Sequence, residues 1–218
     1  MAYPPLPHTE KSNAKIQELV REFPFGHMFS TGPDGHHVTR LPFAMDTDGD
    51  EIVALRAHFN AQNPQRDHLD GADVLIAFSG PDSYVSPNWR VDKGRGATWD
   101  YKAVKVWGTA RIRNERAFFE QLINDLAANS ERKFEGLTEY PNWSIKDAPI
   151  DYVDRLFPKL TSFEVTVSRV EAISKLHQDF PAEDRQSVAD HLKKSPYANS
   201  HDIGELIERD VRGKGGDA

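Results

Sequence analysis

The chain has 218 residues, a formal net charge of −7, twelve Phe, four Trp and no Cys. That length supports one domain with helical appendages and a real core, while the lack of thiols excludes disulfides, a cysteine nucleophile and thiolate metal sites. The acidic balance argues against broad nucleic-acid binding. No apolar run approaches the ~20 residues of a membrane span, and the start MAYPPLPHTEK lacks the pattern of a signal peptide, so a cytoplasmic location is expected.

Ile16, Leu19, Val20 and Phe23 fall at helical spacing, which predicts an opening helix ended before Pro24. The runs FGHMFST, HHVTRLPFAM and IVALRAHF follow, separated by the turn residues GPDG and DTDGDE, and read as a three-stranded meander. NPQRDHLDG holds a short helix ending at Gly71. ADVLIAFSG is apolar enough to be a strand buried on both faces. Next come SGPDSYVSPNWR, read as a loop or pocket rim, and VDKGRG, a mobile basic loop. In the strand that follows, Val104, Val106, Gly108, Ala110 and Ile112 alternate with Lys105, Trp107, Thr109 and Arg111.

Asn114 is placed to cap a helix with Phe118, Phe119, Leu122, Ile123 and Leu126 on its apolar stripe. A short helix stops near Pro158, a last strand carries Phe163, Val165 and Val167, and two amphipathic helical segments close the chain. The expected fold class is α+β, mainly β: about six antiparallel strands forming a small closed barrel with peripheral helices. The expected layout is a helical segment at 1–24, the barrel domain at 25–173, a helical extension at 174–211 and a disordered tail at 212–218.

Phosphate-loop, dinucleotide-binding, zinc-protease and serine-elbow motifs are all missing. His36 and His37 point to opposite faces of one strand, so no metal site is expected. No catalytic residue can be named, and any hard chemistry would have to come from a cofactor.

RAHFNAQNPQ (56–65), VLIAFSGPDSYVSPNW (74–89) and TWDYKAVKVWG (98–108), with VTRLPF (38–43) and KLHQDFPAEDRQSVADHL (175–192), resemble the PaiB family of FMN-binding candidate negative transcriptional regulators. The resemblance implies a split β-barrel of the flavin-reductase and pyridoxamine-phosphate-oxidase type, a homodimer with FMN in the cleft at its interface. The chain departs from the family pattern at four positions. Arg40 stands for the usual His, Arg66 for Trp, Arg90 for Tyr and Asp100 for Asn.

FMN needs cationic and hydroxyl partners for its phosphate and a flat apolar wall with a few polar groups for its ring. In that frame Arg40 and Arg56 are the phosphate candidates, with Thr39, His58 and Asn63 as further hydrogen-bonding groups. Ser86 and Asn88 would bond the ring edge, Trp89 would wall it, and Trp99 would pack at the dimer cleft. Direct DNA binding is not expected. Two alternatives stay open: a flavin-dependent oxidoreductase, and a degenerate barrel whose added arginines select another anionic ligand.

Overall fold

A computed structural model describes residues 6–137 and 139–214. The elements are α1 (Asn13–Glu22), β1 (Phe25–Gly32), β2 (Gly35–Pro42), β3 (Ala44–Asp48), β4 (Glu51–Asn60), α2 (Arg66–Leu69), β5 (Asp73–Val85), β6 (Thr98–Arg113), α3 (Arg116–Glu131), α4 (Ile150–Leu156), β7 (Leu160–Lys175), α5 (Ala182–Leu192) and α6 (Ala198–Lys214). The strands form one antiparallel sheet in the order β2-β1-β5-β6-β7-β4-β3.

There are seven strands among the described residues, where the sequence predicted about six. The difference is the run HHVTRLPFAM, which breaks into β2 and β3 at Phe43. Pro42 has no N–H to continue a ladder, and the Phe43 N–H leaves the sheet to donate to the carbonyl of Pro24 at 2.9 Å. The expected closed barrel is corrected as well. The hydrogen-bonded order stops at β2 on one side and β3 on the other, so no ladder joins them.

The chain divides into two compact units, whose limits cut across the expected segments. One takes Asn13–Phe78 and Lys105–Val170; the other takes the described residues up to Ser12, Ser79–Val104 and the described residues from Glu171 onward.

The first unit holds α1, α3 and a stretch of all seven strands. Phe43 is its buried corner, edge-on to Phe78 at 5.6 Å and to Phe163 at 6.4 Å, with Phe59 packed on Phe163 at 5.3 Å. Alternation along β6 matches expectation, with Val106, Gly108 and Ala110 inward. Gly108 is required there, because a Cβ would stand 2.2 Å from the carbonyl oxygen of Thr166 on β7. β5 does not bury both faces. Val74, Ile76 and Phe78 are inward while Leu75 and Ala77 are half-buried. α3 is preceded by Glu115 rather than by an Asn114 cap. Phe119, Ile145 and Val153 pack into a satellite core beside the sheet.

The second unit holds the far ends of β5, β6 and β7 with α5 and α6. Its core is Val85, Leu176, Val188, Ala189, Leu192, Ile203 and Ile207. β5 runs further than the sequence predicted: Pro81, Ser83 and Val85 are its inward positions, so the buried parity set by Val74, Ile76 and Phe78 switches at Ser79–Gly80. Of the expected tail, Arg212 to Lys214 are the last turn of α6, and residues 215–218 lie outside the described residues.

Candidate functional site

In the first unit, the phosphate candidates part company. Arg56 on β4 faces Asp46 on β3, a near neighbour across the ladder. Its Nε and Nη2 donate to the two Asp46 oxygens at 2.7 and 2.6 Å, and Nη2 also reaches Asp125 at 2.8 Å. These carboxylates raise the guanidinium pKa, against the opposing effect of burial. The two carboxylates together more than offset the guanidinium charge, so Arg56, one of the predicted phosphate candidates, is engaged by Asp46 and Asp125 of its own unit. Arg40 on β2 is exposed, lies over the Phe25 ring at 4.6 Å, and has no carboxylate partner among the described residues.

Thr39 and Asn63 are brought together: the Asn63 amide donates to the Thr39 hydroxyl at 2.9 Å, while its oxygen accepts from the Gln65 N–H at 3.0 Å. Asn63 therefore ties the turn after β4 back to β2. His58 sits half-buried on β4 opposite Ser162, with Nδ1 buried and unpartnered. Desolvation pushes its pKa below the usual 6.5 and keeps the ring neutral at neutral pH.

In the second unit, the segment SGPDSYVSPNWR, read from sequence as a loop or pocket rim, takes regular structure. Its first half continues β5, and Pro87–Trp89 make one 3-10 turn capped by Ser86, whose hydroxyl accepts the Asn88 N–H at 3.2 Å. Tyr84, Trp89 and Trp99 meet as an aromatic row. Tyr84 is edge-on to Trp89 and to Trp99, each at 6.3 Å, and Trp89 stacks on His191 of α5 at 5.9 Å. Tyr84 and Trp99 remain 45% and 54% exposed, so the row is a surface and not a core. Asn88 is exposed beside it.

Trp99 also walls a pocket of about 300 Å³ shared with Tyr101, Lys102 and Ala103 of β6 and with Ser79, Gly80 and Asp82 of β5. The pocket lies where β5 switches parity, and small residues at Gly80 and Ala103 leave the space.

A buried polar cluster in the same unit joins residues that sequence reasoning did not select. Arg90 donates from Nε to Nε2 of His177 at 3.0 Å. That nitrogen must then be the ring's acceptor, which places the ring proton on Nδ1. Nδ1 in turn donates to Oδ2 of Asp100 at 2.5 Å. Phe180 stacks on His177 at 4.3 Å and lies under the Arg90 guanidinium at 4.3 Å. His177 has φ +58, a left-handed conformation that costs a non-glycine residue about 1 kcal/mol and that these bonds offset.

Two of the four replaced family positions, Arg90 and Asp100, thus converge on one imidazole. The sequence signal available was the motif KLHQDFPAED itself, which carries His177, Phe180 and Asp184. The left-handed turn that aims His177 leaves no trace in periodicity.

The loop from Val91 to Gly96, predicted as mobile, has exposed side chains but a tied backbone. Arg90 Nη1 holds the carbonyls of Arg95 and Gly96 at 3.0 and 2.9 Å. The Asp184 carboxylate accepts the N–H groups of Val91 and Asp92 at 2.6 and 3.1 Å. Among the described residues no group of three or more His, Asp or Glu is placed to hold a metal ion, and no helix is long and apolar enough to cross a membrane.

A family model described as "Putative FMN-binding domain" matches residues 2–169. The chain is 28% identical over 203 residues to protease synthase and sporulation protein PAI 2 of Bacillus subtilis, covering 89% of this chain and 90% of that one. Among solved structures it is similar to the conserved hypothetical protein Rv2991 of Mycobacterium tuberculosis, at 19% identity and TM-score 0.55 over 80% of this chain and 91% of that one. It is also similar to an FAD and heme binding protein of Mycobacterium smegmatis, at 11% identity and TM-score 0.51 over 77% and 73%. These likenesses show the fold, a split barrel rather than a closed one.

Proposed function

The chain belongs to the FMN-binding domain family, and from that premise we propose that it is an FMN-binding homodimer of the PaiB type, with the flavin ring seated on the aromatic face of Tyr84, Trp89 and Trp99. The observation that carries the reading is that face itself. Three large rings stand together at a strand end, two of them about half exposed, beside a pocket with small residues in its floor. A flat tricyclic ring gains area against such rings at low entropic cost. Ser86 and Asn88 supply polar groups for its edge. When bound, FMN supplies hydride and single-electron chemistry; the chain's part is to hold, orient and shield it.

The homodimer rests on a second observation. Phe25 and Phe29 on β1 and Val38 on β2 share one face of the hairpin, Phe29 and Val38 as cross-strand partners, and are 41–56% exposed. An apolar strip on an edge hairpin is the surface that a second copy covers. The expected result is a dimer in sedimentation that the substitution Phe29→Glu dissociates.

Regulation by direct DNA contact has little support. α5, α6 and the turn between them carry seven acidic against six basic side chains, and the total charge is −7. Regulation through the flavin fits this surface better. The testing experiment is the absorption spectrum of the purified protein, followed by FMN titration read by tryptophan quenching. A flavin spectrum and saturable quenching support the proposal. Oxidation of NADH or NADPH that requires FMN would make the protein an oxidoreductase. Absence of flavin binding together with binding of another phosphorylated ligand would move the reading to the degenerate barrel.

A further inference from the structure

The flavin-binding face belongs to residues 84–99, yet what holds that stretch in place comes from the other end of the chain. From Arg90 to Trp99 the side-chain anchors run to the segment Lys175–His191 or to the loop's own Arg90, apart from the Gly94 N–H, which donates to Asp92 at 2.7 Å. Trp89 lies flat on His191. Arg90 and Asp100 grip His177 from its two nitrogens. Val91 and Asp92 donate to Asp184, and Arg95 pairs with Asp179 at 3.1 Å while lying over Phe180 at 4.6 Å. Lys175 donates to the Thr98 hydroxyl and, at 2.7 Å, to the carbonyl of Trp99.

We propose that Lys175–His191, which starts beyond the residues matched by the family model, is the positioning clamp of the flavin-binding face: it fixes the 90–98 loop so that Trp89 and Trp99, at the loop's two ends, are set for one flat ligand. The role rests on the flavin reading given above. The key residue is Asp184, 2% exposed, whose single oxygen accepts two loop N–H groups. An ionised acceptor makes the stronger kind of hydrogen bond, and no element of secondary structure holds Val91 to Ala97 otherwise.

The loop carries its own reporter, because Lys93 and Arg95 are exposed trypsin sites. In the native full-length protein, trypsin cleavage there tracks how often the loop opens. Wild type is expected to resist cleavage. Asp184→Ala is expected to raise the cleavage rate about tenfold or more and to weaken FMN binding about tenfold. Asp184→Asn keeps the accepting oxygen and is expected to stay within about threefold of wild type on both readouts.

His191→Ala, at an exposed position where folding is not at stake, removes the ring under Trp89. It is expected to shift tryptophan emission and weaken FMN about threefold, with cleavage unchanged. The clamp is overturned if Asp184→Ala is cut at the wild-type rate, or if a freed loop leaves FMN affinity intact. If the wild-type protein binds no FMN, the flavin reading falls, and tenfold faster cleavage of Asp184→Ala still supports the clamp on the two tryptophans.

Discussion

The two units handle buried charge in different ways. In the barrel unit the charge of Arg56 is more than offset by two carboxylates, and the result is an ion-paired strut between β4, β3 and α3. In the other unit Arg90 meets an imidazole and two carbonyls, and its one carboxylate relation runs through His177 to Asp100. The first arrangement ties regular elements that the sheet already places. The second ties a loop that has no ladder of its own. The comparison teaches that a buried arginine on a strand is a poor guide to a ligand site, whereas polar groups converging on a loop mark the chain's costliest positioning.

The largest effect that would test this contrast is in the barrel. Phe43→Ala removes the ring at the corner where Phe78 and Phe163 meet, and is expected to cost about 3–5 kcal/mol in denaturant unfolding. Flavin affinity per folded molecule should hold. A loss of flavin without loss of stability would dissolve the distinction.

Arg56→Ala comes next. The pair is partly exposed on the carboxylate side, with Asp46 and Asp125 at 38% and 30%, so the expected loss is about 1–2 kcal/mol of stability. FMN affinity should stay within about twofold. A tenfold loss of affinity at unchanged stability would restore Arg56 to the phosphate.

Trp99→Ala reverses the pattern. More than half of that ring is exposed, so unfolding should barely move, while FMN binding should weaken about tenfold in the quenching titration.

The smallest effect is a pH dependence. Burial lowers the His58 pKa, so the unfolded chain takes up a proton near pH 6.5 before the folded one does. The contribution is absent above that pH, and stability falls as pH drops through 6.5 toward the folded value. His58→Phe should flatten the fall in Tm between pH 7 and pH 5. An unchanged slope would remove His58 from the barrel's electrostatics.

Periodicity made the barrel strands legible because each is held by a two-residue alternation that survives in the sequence: Val104, Val106, Gly108 and Ala110 face inward as read. It missed the break at Phe43, where a hydrophobic run continues without pause while the backbone changes partner. It also missed the extension of β5 through Val85, because turn-like Gly80 and Pro81 sit inside the strand at its parity switch. At the site, Trp89 and Trp99 were legible as aromatic residues in matched motifs. Asp184 and His177 were not, since their partners lie 77 to 93 positions away in sequence. The ion pairs of Arg56 were not legible either, because a strand arginine looks the same whether a carboxylate or a ligand awaits it.

Phe43 also bears on how the molecule folds. β2 and β3 stand at opposite ends of the strand order, yet only one residue separates them along the chain. The two margins of the sheet are therefore tied together along the chain with no ladder between them, while pairing β1 with β5 must bridge more than forty residues (Phe29 to Leu75). The β1–β2 and β3–β4 hairpins on either side of Phe43 are the parts that can form early, and the long-range ladder of β1 with β5 is the slow step.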